Sequence, residues 1–151
     1  MEKITEKILD FLDALKTLED ILKVFYEYKA LFAAHPTEKN EQFFVIVRDA
    51  TIRRFAYCTD LIWKVLKVYL EDIKKVHVES FSPRGVIREA VNSGFISELE
   101  SSELIRMVDS RNKTSHIYHA TIADDIASKV PEYYSFMRKI IDRMQAMVIQ
   151  K

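Results

Sequence analysis

Within eight consecutive positions the chain sets a guanidinium (Arg111), a carboxamide (Asn112), an ammonium (Lys113), two hydroxyls (Thr114, Ser115), an imidazole (His116) and a phenol (Tyr118). A guanidinium is a planar, always-charged fork suited to phosphate oxygens. An imidazole, with an ordinary pKa of about 6.5, moves a proton at neutral pH. Together they suffice for phosphodiester chemistry on RNA: a base takes the 2′-hydroxyl proton, the oxygen attacks phosphorus, and Arg111 stabilises the charge growing on the phosphoryl oxygens. Such a reaction requires no metal. His116 and His119, with Asp124 and Asp125 nearby, have no known helical zinc spacing, so no metal site is expected. A structural reading of the same residues stands beside the chemical one: Arg111 as a cation at a helix C-terminus and His116 as a packed or surface histidine.

The elements that must position these groups are helices. From Glu2 to about Ala34, Ile4, Ile8, Leu12, Leu15, Leu18, Leu22 and Phe25 recur in steps of three and four, one stripe along a long helix. His35-Pro36-Thr37 ends it, because proline cannot continue the ladder and its predecessor is pushed out of helical geometry. A second long helix is expected from Glu41 to about Val78, with Ile52, Phe55, Thr59, Ile62, Leu66, Tyr69 and Ile73 on its inner side. Tyr57, Leu61, Trp63, Val65 and Val68 add apolar surface elsewhere on it, and Trp63 is read as a packing anchor. Ser82-Pro83 opens a third helix and Gly94 closes it. Ser101 or Ser102 is expected to cap a fourth, with the stripe Leu104, Met107, Val108. Thr121 with Asp124 resembles a capping box for a last helix, kinked or restarted at Pro131 and running to about Gln150.

The expected fold is therefore all-α, an antiparallel up-and-down bundle of about five helices, two of them long, forming one domain over residues 1–151. Composition agrees. The 151 residues are enough to bury a core, and two glycines are too few for sheet turns, a phosphate-cradling loop or a dinucleotide fingerprint. Lys and Arg total 23, as do Asp and Glu, so any nucleic-acid contact must be local rather than a whole-protein field. The single Cys58 excludes an internal disulfide and is read as core packing in a reducing compartment. No signal peptide and no apolar run of about 18 residues is found, which points to the cytoplasm and away from the membrane. Lys113, Glu89, Glu98, Glu100 and Glu103 read as solvated faces.

Geometry sets a condition on the chemistry. If the helix through Leu104 and Met107 continued, Arg111, Ser115 and Tyr118 would share its core-side stripe. Asn112, His116 and His119 would lie on a neighbouring one. At about 100° per residue Arg111 and His116 stand about 140° apart, so joint action needs a helix break or a second subunit. Thr114 and Ser115 are weak helix formers, which makes a break reasonable.

Arg111, His116 and Tyr118 spell R-x-x-x-x-H-x-Y, and here the sequence resembles the HEPN superfamily, in particular the HepT-like proteins also called nucleotidyltransferase substrate-binding proteins. Ile52-Arg53-Arg54-Phe55 with Trp63-Lys64 is similar to that family's second helix, and Ser82-Pro83-Arg84 through Gly94 to its third. The resemblance implies a homodimer that places two copies of the motif across a shared cleft. It also implies a cognate minimal nucleotidyltransferase as partner and, in some members, a ribonuclease toxin acting on RNA without cofactor. Arg111 and His116 would be catalytic, Asn112 and Ser115 supporting, and Tyr118 the residue adenylylated to silence the toxin. An alternative role is a non-catalytic subunit that presents a nucleotide or substrate to the transferase. Leu104, where the family often carries Trp, and His119-Ala120, where it tends to carry Asn or Asp then Glu, depart from the pattern.

Overall fold

A computed structural model of the chain describes residues 2–116 and 119–149. Among these residues there are five α-helices, one 3-10 turn and no strand: α1 (Glu2–Ala34), α2 (Glu38–Asp72), α3 (Pro83–Asn92), α4 (Glu98–Lys113), the turn Thr114–His116, and α5 (Ala120–Ile149). The bundle is all-α, as the periodicity requires. Among the described residues no helix is long and apolar enough to cross a membrane.

Helices α1 and α2 are joined by only three residues and so run antiparallel, packed along much of their length. The expected α1 stripe is buried apart from the partly buried Leu12, with Ile4, Leu15 and Leu18 fully enclosed, and Phe11, outside that stripe, is fully enclosed beside Leu12. On α2 the whole expected inner stripe from Ile52 to Ile73 is buried. Val65 is buried too, while Leu61, Trp63 and Val68 pack partly buried against the same core. Tyr57 departs from that reading, since it is 58% exposed. Cys58 is buried, and loss of water around it pushes its thiol up to about 12, so it behaves as a small apolar group.

Helix ends are set by local chemistry. Thr37 caps α2, its hydroxyl accepting from Asn40 N, so that helix starts three residues before Glu41. It also stops at Asp72 rather than near Val78. Lys75 takes a φ of 58° and Val76 N donates back to Leu70 O, turning the chain while Val78 still reaches the core. Ser82 and Pro83 open α3 as expected, and Gly94, at φ 81°, closes it.

Ser97, not Ser101 or Ser102, caps α4. Its hydroxyl accepts from Glu100 N while the Glu100 carboxylate accepts from Ser97 N, a complete capping box that leaves Ser101 buried in the first turns. Glu100 is consequently no solvated face. The last helix is a third long one, because α5 continues through Pro131. Proline inside a helix costs about 3 kcal/mol. Here Ala127 and Val130 before it and Tyr133 and Met137 after it all stay buried, so burial on both sides of the proline keeps one helix in register. The expected Thr121–Asp124 box is absent. Ile122 N and Ala123 N donate instead to His119 O, and Asp124 turns to Arg48.

Candidate functional site

The C-terminal end of α4 carries the polar motif, and its position is fixed from beneath. Ser110 is buried with its hydroxyl 3.1 Å from the Tyr133 phenol of α5, and the Tyr133 ring stacks on Phe55 of α2 at 5.3 Å. The next residue, Arg111, is in the last turn of α4, where a cation complements the helix dipole. Its side chain leaves the core and forms a two-bond fork with Asp60 of α2: Nε donates to Oδ1 at 2.7 Å and Nη2 to Oδ2 at 2.9 Å. Nη1 donates to Thr114 Oγ1 at 3.2 Å, and that hydroxyl donates to Arg111 O at 2.6 Å. The Asp60 carboxylate raises the guanidinium above its ordinary range, against the opposing effect of partial burial. Three of the five guanidinium protons are thereby used. One N–H on each terminal nitrogen has no hydrogen-bond partner among the described residues.

Arg111 and Asp60 line an open groove of about 640 Å³ between α2 and the turn after α4. Ser115 and His119 stand on its motif side, and Arg48, Arg53 and Tyr57 on its α2 side. Arg48 is 7% exposed and is held by Asp49 Oδ1 and Asp124 Oδ1, each at 3.1 Å, which ties the start of α5 to α2. His116 opens elsewhere. With Asn112 and Lys113 it lines a second groove against Thr121, Ile122 and Asp125 of α5.

The sequence geometry is thus met in part. Arg111 and Ser115 share one side, and Asn112 and His116 share another, as the stripe arithmetic requires. His119 does not follow Asn112 and His116. The helix gives way to a 3-10 turn at Thr114–His116 and α5 restarts at Ala120, and after this break His119 lies in the Arg111 groove. The imidazole that shares the groove with Arg111 is thus that of His119 rather than His116. Tyr118 lies outside the described residues. His116 and His119 face different grooves, so the two imidazoles do not converge on a common ligand position.

Asp60 and Arg48 were not singled out by the sequence, Arg53 entered only through the second-helix resemblance and Tyr57 only as apolar surface, and none was assigned to the site. They are tens of residues from Arg111 in sequence, and only the packing of α2 against α4 and α5 brings them together. A weak signal existed for Asp60, a carboxylate directly beside the α2 inner stripe between Thr59 and Ile62.

The model for nucleotidyltransferase substrate-binding-protein-like chains matches residues 14–146. A crystal structure of a Thermus thermophilus protein is similar, with a TM-score of 0.68 and 30% sequence identity over 89% of this chain and 98% of that one. A comparison with curated proteins found no match. With the family match reaching into all five helices and taking in the motif groove between them, the chain belongs to the nucleotidyltransferase substrate-binding-protein-like family, the HepT-like, HEPN-type group that its sequence resembles.

Proposed function

We propose that the chain is a cytoplasmic, metal-independent endoribonuclease toxin, active as a homodimer and silenced by a cognate minimal nucleotidyltransferase that adenylylates Tyr118. The observation that carries this reading is the Arg111 guanidinium, braced by Asp60 and Thr114 at the wall of an open groove with two N–H groups unused. In the reaction a base removes the 2′-hydroxyl proton, the O2′–P bond forms, the P–O5′ bond breaks, and the conjugate acid returns a proton to O5′. The products are a 2′,3′-cyclic phosphate and a 5′-hydroxyl. Arg111 stabilises the phosphoryl charge. His116 moves the proton from a second copy of the chain, since within one chain it opens on another groove. Asn112 and Ser115 support the two grooves. An AMP group on Tyr118 would bring a phosphate to Arg111 and occupy the substrate's place.

Purified protein is expected to cut single-stranded RNA in the presence of EDTA, leaving the cyclic phosphate. Arg111→Ala and His116→Ala are each expected to remove cutting. Cutting at the parent rate by both variants would overturn the assignment. Co-expression with an active partner transferase should add the mass of one AMP, and that mass should vanish in Tyr118→Phe.

The placing of Arg111 and His116 on separate grooves favours a second reading, a non-catalytic subunit that presents a nucleotide to the transferase. It expects a stable hetero-complex and no RNA cleavage by the free subunit. Motif-dependent cutting excludes it.

A further inference from the structure

The groove holds three guanidiniums, and two of them are matched. Arg48 has Asp49 and Asp124, and Arg111 has Asp60. Arg53 has no hydrogen bond or ion pair with any described residue, and its side chain is exposed at the groove. Its neighbour Arg54 turns the other way and donates to Thr17 O of α1 at 2.7 Å. One helical turn beyond Arg53, on the same face of α2, Tyr57 also lines the groove, 58% exposed and with no ring or hydrogen-bond partner among the described residues. Beside them the buried Ile52 and Ala56 give the groove an apolar floor.

An unmatched planar fork, an exposed aromatic ring one turn away and an apolar floor together fit one ligand chemistry. The fork suits a phosphate. The ring offers a stacking face to a base, which tolerates any base identity because every base has a π-face. The step from Arg53 to Asp60, the brace of Arg111, is about 10 Å along the helix, so both ends of the groove lie within reach of one short strand.

We propose that Arg53 and Tyr57 form a nucleotide-binding subsite on α2, Arg53 taking a phosphate and Tyr57 stacking on the adjoining base, next to the phosphate position at Arg111. The subsite rests on the nucleic-acid reading of the Arg111 groove and names how that groove holds its ligand. The ligand is a nucleotide, supplied either by an RNA strand or as a free mononucleotide.

The test measures binding rather than cutting. Fluorescence anisotropy of a labelled 2′-O-methyl oligonucleotide, which lacks the attacking hydroxyl, and of a labelled ATP analogue, is followed with wild type, Tyr57→Leu, Tyr57→Phe and Arg53→Gln. Tyr57→Leu should weaken binding roughly 5- to 150-fold, the range for one lost base stack, while Tyr57→Phe stays within about threefold of wild type. Arg53→Gln should weaken binding and lower the salt slope for the strand by about 0.7, the value for one lost phosphate contact. Both positions are exposed, so the thermal melts should coincide with wild type. Dependence seen with the strand alone assigns the source as RNA, and dependence with the ATP analogue alone assigns it as free nucleotide. Either supports the subsite. Equal binding by wild type, Tyr57→Leu and Arg53→Gln overturns it, as does an equal loss in Tyr57→Phe and Tyr57→Leu. The two claims fail separately: RNA cutting by wild type with unchanged binding in these variants removes the subsite alone, and variant-dependent binding without any cutting removes the ribonuclease alone.

Discussion

Helix α4 is fastened at both ends by an arginine–carboxylate fork, and the two forks differ in their surroundings. At the N-terminal end Glu100 receives Arg143 Nη1 at 2.9 Å and Nη2 at 2.7 Å, with Lys139 at 3.4 Å, while also closing the capping box. Arg143 in turn donates to Phe95 O and lies over the Phe95 ring at 5.8 Å. The Glu100 side chain is 13% exposed and the Arg143 side chain 33%. At the C-terminal end Arg111 and Asp60 also make a two-bond fork, through Nε and Nη2 rather than both terminal nitrogens, at the wall of an open groove, with their side chains 29% and 38% exposed. An arginine–carboxylate pair thus closes onto a helix cap at one end and lines an open groove at the other. The two pairs differ in their carboxylates, 13% exposed for Glu100 and 38% for Asp60, and in the open groove that Arg111 and Asp60 line.

Four substitutions should break or sharpen that contrast, in decreasing order of effect. Arg111→Ala should lower RNA cleavage by about 10²- to 10³-fold, the usual loss when a charge-stabilising donor is removed, with the melting temperature nearly unchanged. A large fall in melting temperature would make this end as structural as the other. Glu100→Ala should cost on the order of 2–3 kcal/mol of stability, because it leaves the half-buried Arg143 without its charged acceptor and removes part of the helix cap. At this chain length that is a drop of roughly 5–10 °C in the melt, with cleavage by the folded protein retained.

The third contrast is in pH. Arg143 above all, together with the Ser97 N–H, holds the Glu100 carboxyl down to about 2 against an ordinary 4.5, outweighing its desolvation. A depressed carboxylate stabilises the fold fully above its unfolded pKa and loses that contribution as pH falls through the window from about 4.5 toward 2. Denaturant titrations should therefore show wild type losing stability across this window, and Glu100→Gln should show a flatter profile. A parallel pair of curves would mean that Glu100 is not the group titrating. The smallest effect belongs to Asp60→Asn, which keeps the shape but weakens the brace. Because Asp60 is more than a third exposed, stability should change by less than about 1 kcal/mol. Cleavage should fall about tenfold through misplacement of Arg111, and unchanged cleavage would free Asp60 of any positioning role.

The fold was legible because burial follows helical period. The α2 stripe Ile52, Phe55, Thr59, Ile62, Leu66, Tyr69, Ile73 was read in full, since each residue's place depends only on its spacing. Errors arose where long-range packing overruled local signals. Pro131 did not restart α5, because apolar burial on both sides outweighed the lost hydrogen bond, whereas the Ser97 cap of α4 is itself a local pattern, with Glu100 three residues on, and was legible in the sequence. At the site, the motif and the separation of Arg111 from His116 were visible as stripe angles. The places of Asp60, Arg48, Arg53 and Tyr57 at the groove were not, since no spacing within α2 reports which of its residues will meet the end of α4 and the start of α5 tens of residues later. His119 changed grooves for a related reason: a 3-10 turn alters the angle per residue, and its extent depends on where α5 is anchored by Asp124 on Arg48.

The central claim is that Arg111 of one copy works with His116 of another, and mixing two inactive variants tests it most directly. Arg111→Ala and His116→Ala proteins, unfolded together and refolded, should regain about one quarter of the wild-type rate of metal-free RNA cleavage. Half of the dimers would then be mixed, and each would carry one intact site and one doubly damaged one. No recovery above the separate variants, with mixed dimers demonstrated by mass, would contradict a site shared between copies.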